Sequence, residues 1–325
     1  MPVKDPTILL ITFEDDLNAD LLILELERQG LPFYRLNCEN FPLEVTGTWS
    51  NIKDNYINQK NEEIDLDDIS SAWFRRLPMP DLSRIDLDSK FFHFIIKERS
   101  IFLEGLLNQL DVLWVNRICS VSSAENKISQ LSLAKKIGLQ APKTIITNDF
   151  NTIESFVKLY PNVICKPISS CRINLNNNEW GFYSESLKKE DICNRNAVQI
   201  SPFIIQERIK RKIEVRLTVV GSTIFACSME INDSNTETID LHLIEDKNIF
   251  YKPINVPRAV QKSVFQLLKA FGLTYCCFDF VLSDNDDWIF LELNPSGQWG
   301  WIERKVGFPI TESIVNLLKG DPKLA

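Results

Sequence analysis

The chain has 325 residues, 44% of them hydrophobic and 25% charged, with a formal net charge of −8. That is the make-up of an ordinary globular protein with room for two or three domains, and the acidic balance without a lysine-rich arm excludes a nucleic-acid partner. Two histidines leave little material for a zinc site or a histidine-based nucleophile, and no apolar run reaches the length of a membrane span.

The N-terminus lacks the shape of a signal peptide. Residues 8–13 (ILLITF) read as a buried strand; Asp15 and Asp16 lead into a helix over 18–29 stopped by Gly30, and 33–37 form the next strand. This βαβ opening suits a nucleotide-binding α/β domain, yet neither GxGxxG nor GxxxxGK[ST] occurs. Short β-segments follow over 45–57, then the strand 71–76, which ends in Arg75 and Arg76. Those two arginines are placed to hold anions at a strand end, and equally to pair with Asp65, Asp67 and Asp68. A long helix over 88–110 and a strand over 112–116 close the first domain near residue 118.

Ser122 to Glu125 has the capping-box pattern, predicting a helix that carries Lys127, Ile128, Leu131, Ala134 and Ile137 before Gly138 and Pro142 end it. Then come a strand over 143–147, a helix over 151–159 and a strand over 162–167, with Lys166 at its end facing the core side, where a phosphate can meet it. The polar stretch 169–181, with three consecutive asparagines, predicts a mobile loop over the site. Residues 204–209 read as an edge-like strand. Residues 213–227 read as a hairpin turning at Gly221 and Ser222, with Glu214, Arg216 and Thr218 on one face. An arginine on an apolar strand needs an anionic partner, either a carboxylate or a phosphate. The acidic stretch 231–248 predicts an exposed loop or hairpin tip, 257–271 a helix ended by Gly272, and 309–319 a last helix. The eight cysteines form no CxxC pair and are expected to be reduced, mostly buried thiols of a cytoplasmic protein, with Cys165 and Cys227 inside apolar strands.

The most informative stretch is 275–295. Two apolar strands, 275–282 and 288–294, flank the turn cluster Ser283 to Asp287. A turn centred between Asn285 and Asp286 places Asp279 opposite Glu292, and the period of two adds Asn294 to their face, while Phe278, Phe280, Leu291 and Leu293 form the core face. Two carboxylates that close are costly unless a cation lies between them, and an all-oxygen set suits Mg²⁺ bridging a nucleotide's phosphates. An ordinary solvent-facing acidic hairpin face is the alternative.

Taken in order, Lys127, Lys166, the run Gln206-Glu207-Arg208-Ile209, Glu214, Arg216, Asp279 and Glu292-Leu-Asn294-Pro-Ser-Gly297 resemble the ATP-grasp ligases over residues 115–300. The N-terminal Ala72-Trp-Phe-Arg-Arg76 and the late Asn294-Pro-Ser-Gly-Gln-Trp look like the graspetide synthetases, the microviridin-type peptide macrocyclases. The resemblance implies an α/β (α+β) chain of the ATP-grasp fold with an N-terminal pre-ATP-grasp α/β domain over 1–118, a central subdomain over 119–203 and a C-terminal subdomain with the metal site over 204–325.

It implies ATP and two Mg²⁺ ions as cofactors, with Asp279, Glu292 and Asn294 as metal ligands and Glu292 bridging. Lys127 and Lys166 would contact ATP phosphates, backbone groups of Gln206, Glu207 and Ile209 the adenine, and Glu214 the ribose or Arg216. Arg216 would stabilise the transferring phosphoryl group, and Ser296 and Gly297 would offer backbone donors near an acyl-phosphate. Arg75, Arg76 and Trp299 are further substrate-side candidates; Trp299 and Trp301 either line a peptide site or pack the C-terminal helix. Glu303 is a weak candidate base. The implied partners are a ribosomal precursor peptide and a second copy in a homodimer; Glu230, Asp233, Glu237, Asp240, Glu245 and Asp246 are either a contact for a basic leader or, the preferred reading, a solvated acidic loop. The loop after Lys166 departs from the family by holding only Gly181 where many ATP-grasp lids are glycine-rich. Two other readings stay open: an ATP-grasp ligase that adds amino acids to a protein or metabolite, and a non-catalytic nucleotide-binding regulator.

Overall fold

The structure is a computed structural model that describes all residues except 1–5, 53, 81, 83–84, 170–171, 176–177, 182–183, 188–191, 193, 211–212, 232–247 and 322–325, with backbone alone for 172–175 and 178–181. The chain opens with β1 (Thr7–Thr12), α1 (Leu17–Arg28) and β2 (Phe33–Asn37). Asp16 caps α1 by accepting from the Asn18 amide, which satisfies one of the helix's orphan donors. A small antiparallel sheet of β3 (Val45–Thr48), β4 (Tyr56–Gln59) and β5 (Glu62–Asp65) follows. Then come β6 (Ile69–Phe74), α2 (Phe92–Leu107) and β7 (Leu113–Val115). Strands β2, β1, β6 and β7 pair in that order, all parallel, so their near-continuous apolar runs are buried on both faces. β6 ends one residue before Arg75, so both arginines lie past the strand.

Two helices lead out of this layer, α3 (Ile118–Glu125) and α4 (Lys127–Lys136). The capping-box expectation is corrected here: Ser122 lies inside α3 and its hydroxyl bonds back to the Ile118 carbonyl, while Asn126 is the true cap of α4, accepting from the Ser129 amide. Asn126 sits in extended backbone between the two helices, so it is the residue free to turn its side chain onto the new helix.

The next layer holds β8 (Thr144–Thr147), α5 (Phe150–Leu159), β9 (Val163–Lys166), β10 (Arg172–Leu175), β11 (Asn178–Gly181), β12 (Glu185–Ser186), α6 (Arg195–Ile200) and β13 (Phe203–Glu207). The order is β12-β9-β13-β8. Strand β13 is therefore interior, pairing with both β8 and β9, and not the edge strand its polar end suggested; Ile204 and Ile205 need cover on both faces, and a central position gives it. The segment expected to be a loop pairs as the hairpin β10–β11. Its alternating Arg-Ile-Asn-Leu half has the period-two pattern that pairs as a strand.

The last layer is the antiparallel sheet β16-β15-β14-β17-β18, built from β14 (Ile213–Val220), β15 (Thr223–Ile231), β16 (Ile249–Pro253), β17 (Tyr275–Leu282) and β18 (Trp288–Asn294). Helix α7 (Arg258–Phe271) precedes β17 and ends at Gly272, whose φ of 66° is the left-handed cap a Cβ disfavours. One face of the sheet packs on α4 and α7 through Val215, Leu217, Phe278, Phe280 and Leu293. The other packs on the parallel sheet and on α8 (Gly300–Val306) and α9 (Ile310–Leu318) through Val220, Cys227, Tyr275, Cys277 and Trp299. Helix α8, which the sequence pattern does not predict, begins at Gly300, six residues after Asn294. No helix among the described residues is long and apolar enough to cross a membrane.

Candidate active site

The hairpin β17–β18 carries the centre. Its turn is held by the Ser283 hydroxyl, which accepts the Asn285 and Asp287 amides at 3.2 Å each, and Asp286 takes the left-handed φ of 62°. Asp279 pairs with Glu292 and Cys277 with Asn294, so Asp279, Glu292 and Asn294 share the site face. Between Asp279 and Phe280 the register shifts by one residue. The shift corrects the expected core face: Phe280 pairs with Phe290, which is fully buried, and Leu291 is displaced to a half-buried position as the extra residue of a bulge. The ligand pairing lies on the near side of the bulge and is unaffected.

Neighbouring strands complete the row. Arg216 of β14 pairs directly with Asp279, and its Nε lies 3.0 Å from Asp279 Oδ1, although out of line for a hydrogen bond. Lys127, the first residue of α4, donates to Glu292 Oε2 at 2.7 Å. Asn294 Nδ2 donates to Asp279 Oδ2 at 3.0 Å and to Glu292 Oε1 at 3.2 Å. Burial pushes the Glu292 carboxyl upward, but the Lys127 and Lys166 cations and the hydrogen bonds from Lys127 and Asn294 outweigh it and hold the pKa at about 2. Lys166, at the end of β9, is thus close enough to act on Glu292 from the opposite sheet. Burial disfavours the Arg216 cation, yet the Asp279 carboxylate overrides it, with Cys277 and Glu292 adding to the effect, so its pKa is raised. The Trp301 ring lies 5.9 Å from the Arg216 guanidinium carbon.

Two carboxylates and one amide, all on one face, form a hard oxygen donor set that fits Mg²⁺ once the Asn294 amide turns its oxygen inward. Lys127 and Arg216 now neutralise the two carboxylates, and Lys127 is a side chain that a phosphate can draw away. The centre is partly open: the side chains of Lys127, Glu292, Arg216 and Asp279 are 17%, 29%, 13% and 21% exposed.

Other expected site residues fall in different places. Gln206 lies within β13, donates to the Thr144 hydroxyl and is almost fully buried; Glu207 ends the strand opposite Val163 and Ile209 follows it, whereas Lys166 pairs with Ile204 nearer the strand's start. Glu214 lies two residues from Arg216 on the same face, opposite Met229. Gly297 is not a free donor, because its amide donates to the Asn294 carbonyl at 3.0 Å and its own carbonyl accepts the Tyr275 hydroxyl at 2.7 Å. The Ser296 hydroxyl is buried without a hydrogen-bond partner. Trp299 is fully buried and donates to the Thr311 hydroxyl, so of its two readings it is the packing one.

Arg75 is also internal. Its Nε lies 3.3 Å from Asp16 Oδ2, so Asp16 supplies the carboxylate that was sought among Asp65, Asp67 and Asp68. Arg76 lies over the Phe13 ring at 5.5 Å. Glu303 accepts the Thr311 amide and hydroxyl and so caps the start of α9, away from the base role. Of the acidic leader candidates, Glu230 pairs with Lys252, and Asp233, Glu237, Asp240, Glu245 and Asp246 lie outside the described residues. The thiol of Cys119 is exposed and that of Cys165 half-buried, against the general expectation of burial.

Three buried amides escaped the sequence reading. Gln130 of α4 bonds both to the Leu293 backbone and to the Ala124 carbonyl, covering the outer edge of β18. Asn18 and Asn116 bond to the backbone near the hairpin from the first domain. The only signal was a polar side chain at an otherwise apolar position. An open cleft of about 430 Å³ lined by residues such as Thr223, Ile254 and Phe265 lies on the opposite sheet face and contains no titratable side chain.

Comparison with known proteins places this geometry in context. Residues 7–122 match the MvdD pre-ATP grasp domain family and residues 124–318 the RimK-like ATP-grasp domain family. The chain is similar to the macrocyclase MdnC of Microcystis aeruginosa MRC, solved with its precursor peptide MdnA, at 26% identity and a TM-score of 0.86, covering 97% of this chain and 100% of that one. It is similar to a RiPP-associated ATP-grasp ligase of Chryseobacterium gregarium, solved with ADP and a leader and core peptide, at 25% identity and a TM-score of 0.85, covering 97% and 96%. The fold is also that of the ATP-grasp ligase PsnB, solved with a minimal precursor, Mg and ADP, at 20% identity and a TM-score of 0.76, covering 96% of each chain. No curated protein matches the chain.

Proposed function

Because the chain belongs to the RimK-like ATP-grasp ligases and carries an MvdD-type pre-ATP-grasp domain, we propose that it macrocyclises a ribosomally made precursor peptide at the expense of ATP. The observation that carries this is the row Lys127, Glu292, Asp279 and Arg216, in which ionised carboxylates and fixed cations stand side by side on one sheet face. Peptide-bound relatives that cover nearly the whole chain support the choice of substrate.

In this mechanism Asp279, Glu292 and Asn294 would hold two Mg²⁺ ions, which would supply positive charge to the nucleotide's phosphates. Lys166 grips the phosphates from the opposite sheet. Lys127 leaves Glu292 for a phosphate oxygen. The end of β13, from Gln206 to Ile209, meets the adenine, and Glu214 the ribose. A side-chain carboxylate of a peptide Asp or Glu attacks the γ-phosphorus, the bond to the leaving ADP oxygen breaks, and an acyl-phosphate forms. Arg216, kept cationic by Asp279, offsets the charge on the transferring group. A Thr or Ser hydroxyl, or a Lys amine, of the same peptide then attacks the acyl carbon; phosphate leaves and an ester or amide ring closes. Arg76, the second residue after β6, remains the substrate-side candidate of its pair.

We assign the working form to the cytoplasm, which suits the free thiols among the described cysteines, and to a homodimer, as the family resemblance implies. The three-part division is retained with its boundary at 118, and the one at 203 moves past β13 (Phe203–Glu207), because that strand pairs with β8 and β9 of the central sheet.

The test is mass spectrometry of candidate precursor peptides incubated with enzyme, ATP and Mg²⁺. Loss of one water per ring with matching ADP formation is expected. Gain of an amino-acid residue would instead identify a ligase that adds free amino acids, and absence of ADP with every peptide would sink the catalytic reading.

A further inference from the structure

The six residues from Pro295 to Gly300 join the ligand Asn294 to helix α8, and the first domain holds both their ends. At the near end, Asn116, just past β7 and 1% exposed, donates to the Pro295 carbonyl at 3.1 Å and the Tyr275 carbonyl at 2.8 Å. Its oxygen accepts the amides of Thr274 and Tyr275 at 2.8 and 3.1 Å. Asn116 therefore ties the start of β17 to the end of β18. At the far end, Asn18 of α1, 4% exposed, accepts the amides of Trp299 and Gly300 at 3.2 and 3.1 Å. It caps α8 from another domain, satisfying donors that α8 cannot satisfy itself.

Sterics make the clamp tight. A Cβ on Gly297 would lie 2.5 Å from Cys277 Cβ, and one on Gly300 would lie 2.5 Å from Leu21 Cδ1. The segment is thus pressed between β17 and α1 with no side chain to spare. Behind it, Asp16 caps α1 while facing Arg75, which fixes the turn that presents Asn18.

We infer that Asn18 and Asn116 are positioning residues: the pre-ATP-grasp domain sets the geometry of the metal-ligand strand through these two side-chain amides. Neither touches substrate or metal. They act through the backbone on Asn294 and Glu292, as outer-shell partners orient ligands in other metal sites. The inference rests on the proposed metal role of that strand.

The test is calorimetric ADP binding to the full-length protein, with Mg²⁺ and with chelator, for wild type, Asn18→Ala and Asn18→Asp. Asn18→Ala should lose about tenfold of the Mg²⁺-dependent tightening, the size typical of a lost outer-shell partner, with chelator-bound affinity within about twofold. Asn18→Asp keeps the accepting oxygen and should restore the response to within about threefold. Thermal melts of each variant separate this from unfolding, which would weaken ADP binding with and without metal alike. An Asn18→Ala protein that responds to Mg²⁺ as wild type does, or an Asn18→Asp protein no better than Asn18→Ala, overturns the positioning role. A wild type whose ADP affinity ignores Mg²⁺ overturns the metal centre itself, and this inference with it.

Discussion

The two sheets that face each other across the proposed nucleotide site are built to different standards. The five-stranded sheet bearing Arg216, Asp279, Glu292 and Asn294 is buried on both faces, by α4 and α7 on one side and by the first domain, α8 and α9 on the other. Among the described residues, the four-stranded sheet bearing Lys166 and Gln206 rests on the buried side chains of Ile153, Val163, Ile192, Val198 and Ile205, flanked by partly buried neighbours such as Phe156 and Leu187. Charges that must meet a transition state gain most from groups already fixed in place, because no reorganisation is then needed at the moment of reaction. Groups that admit and release a nucleotide gain from a part of the molecule that opens at low cost. The difference assigns chemistry to the heavy sheet and grip to the light one.

That assignment breaks if damage to the heavy sheet is mild. Glu292→Ala removes the carboxylate that both lysines face and should lower ATP-dependent water loss from the peptide by at least about a thousandfold, on the scale of lost electrostatic stabilisation. Retained turnover by mass spectrometry would refute the metal role of the strand. Arg216→Met should follow, with kcat down by about a hundred- to a thousandfold. It also removes the cation beside Asp279, a carboxylate 21% exposed, so a fall in denaturant midpoint should accompany it.

The light sheet sharpens the comparison. Lys166→Ala should raise KM for ATP about tenfold or more, with a smaller effect on kcat, because it removes a grip made in the ground state as well as the transition state. Steady-state ADP release measures both constants. A kcat loss as deep as that of Glu292→Ala, at unchanged KM, would move Lys166 into the reaction centre and erase the distinction.

What the sequence made legible follows the same division. Within the hairpin, apolar alternation and a turn cluster were enough to bring Asp279 opposite Glu292, because pairing across a short turn is a local matter. The bulge was not legible: nothing in Phe290-Leu291 says which residue is the extra one, and only packing of Phe290 against Phe280 decides it. That Lys127 lies on a helix was readable, while the start of that helix was misplaced, since Ser122 and Asn126 are both good caps and the break in backbone direction chooses between them. Arg75 and Trp299 looked functional because arginine and tryptophan often are. Their burial against Asp16 and Thr311 depends on partners distant in sequence. Asn18 and Asn116 gave only the weak signal of a polar side chain at an apolar position, since each bonds to backbone more than a hundred residues away, and backbone groups have no sequence signature.

The smallest effect concerns acid. Glu292 has its carboxyl held at about 2 against an ordinary 4.5, with Lys127 the largest of the influences that lower it. A depressed carboxylate pKa stabilises the fold above the ordinary value, and this stabilisation is lost as pH falls towards the folded value. In the metal-free protein the contribution is roughly 3 kcal/mol at most, fading between about pH 4.5 and pH 2. Lys127→Met should raise the Glu292 pKa and flatten that part of the profile. Urea unfolding of both proteins at steps from about pH 6 to pH 3 reads it directly, as a slope of up to about 1.4 kcal/mol per pH unit that the variant loses in part. Identical slopes would mean that Lys166 and Asn294 suffice to hold the carboxylate. The light sheet would then contribute to the charge balance of the heavy one even without a nucleotide between them, and the division of labour drawn above would apply to motion but not to electrostatics.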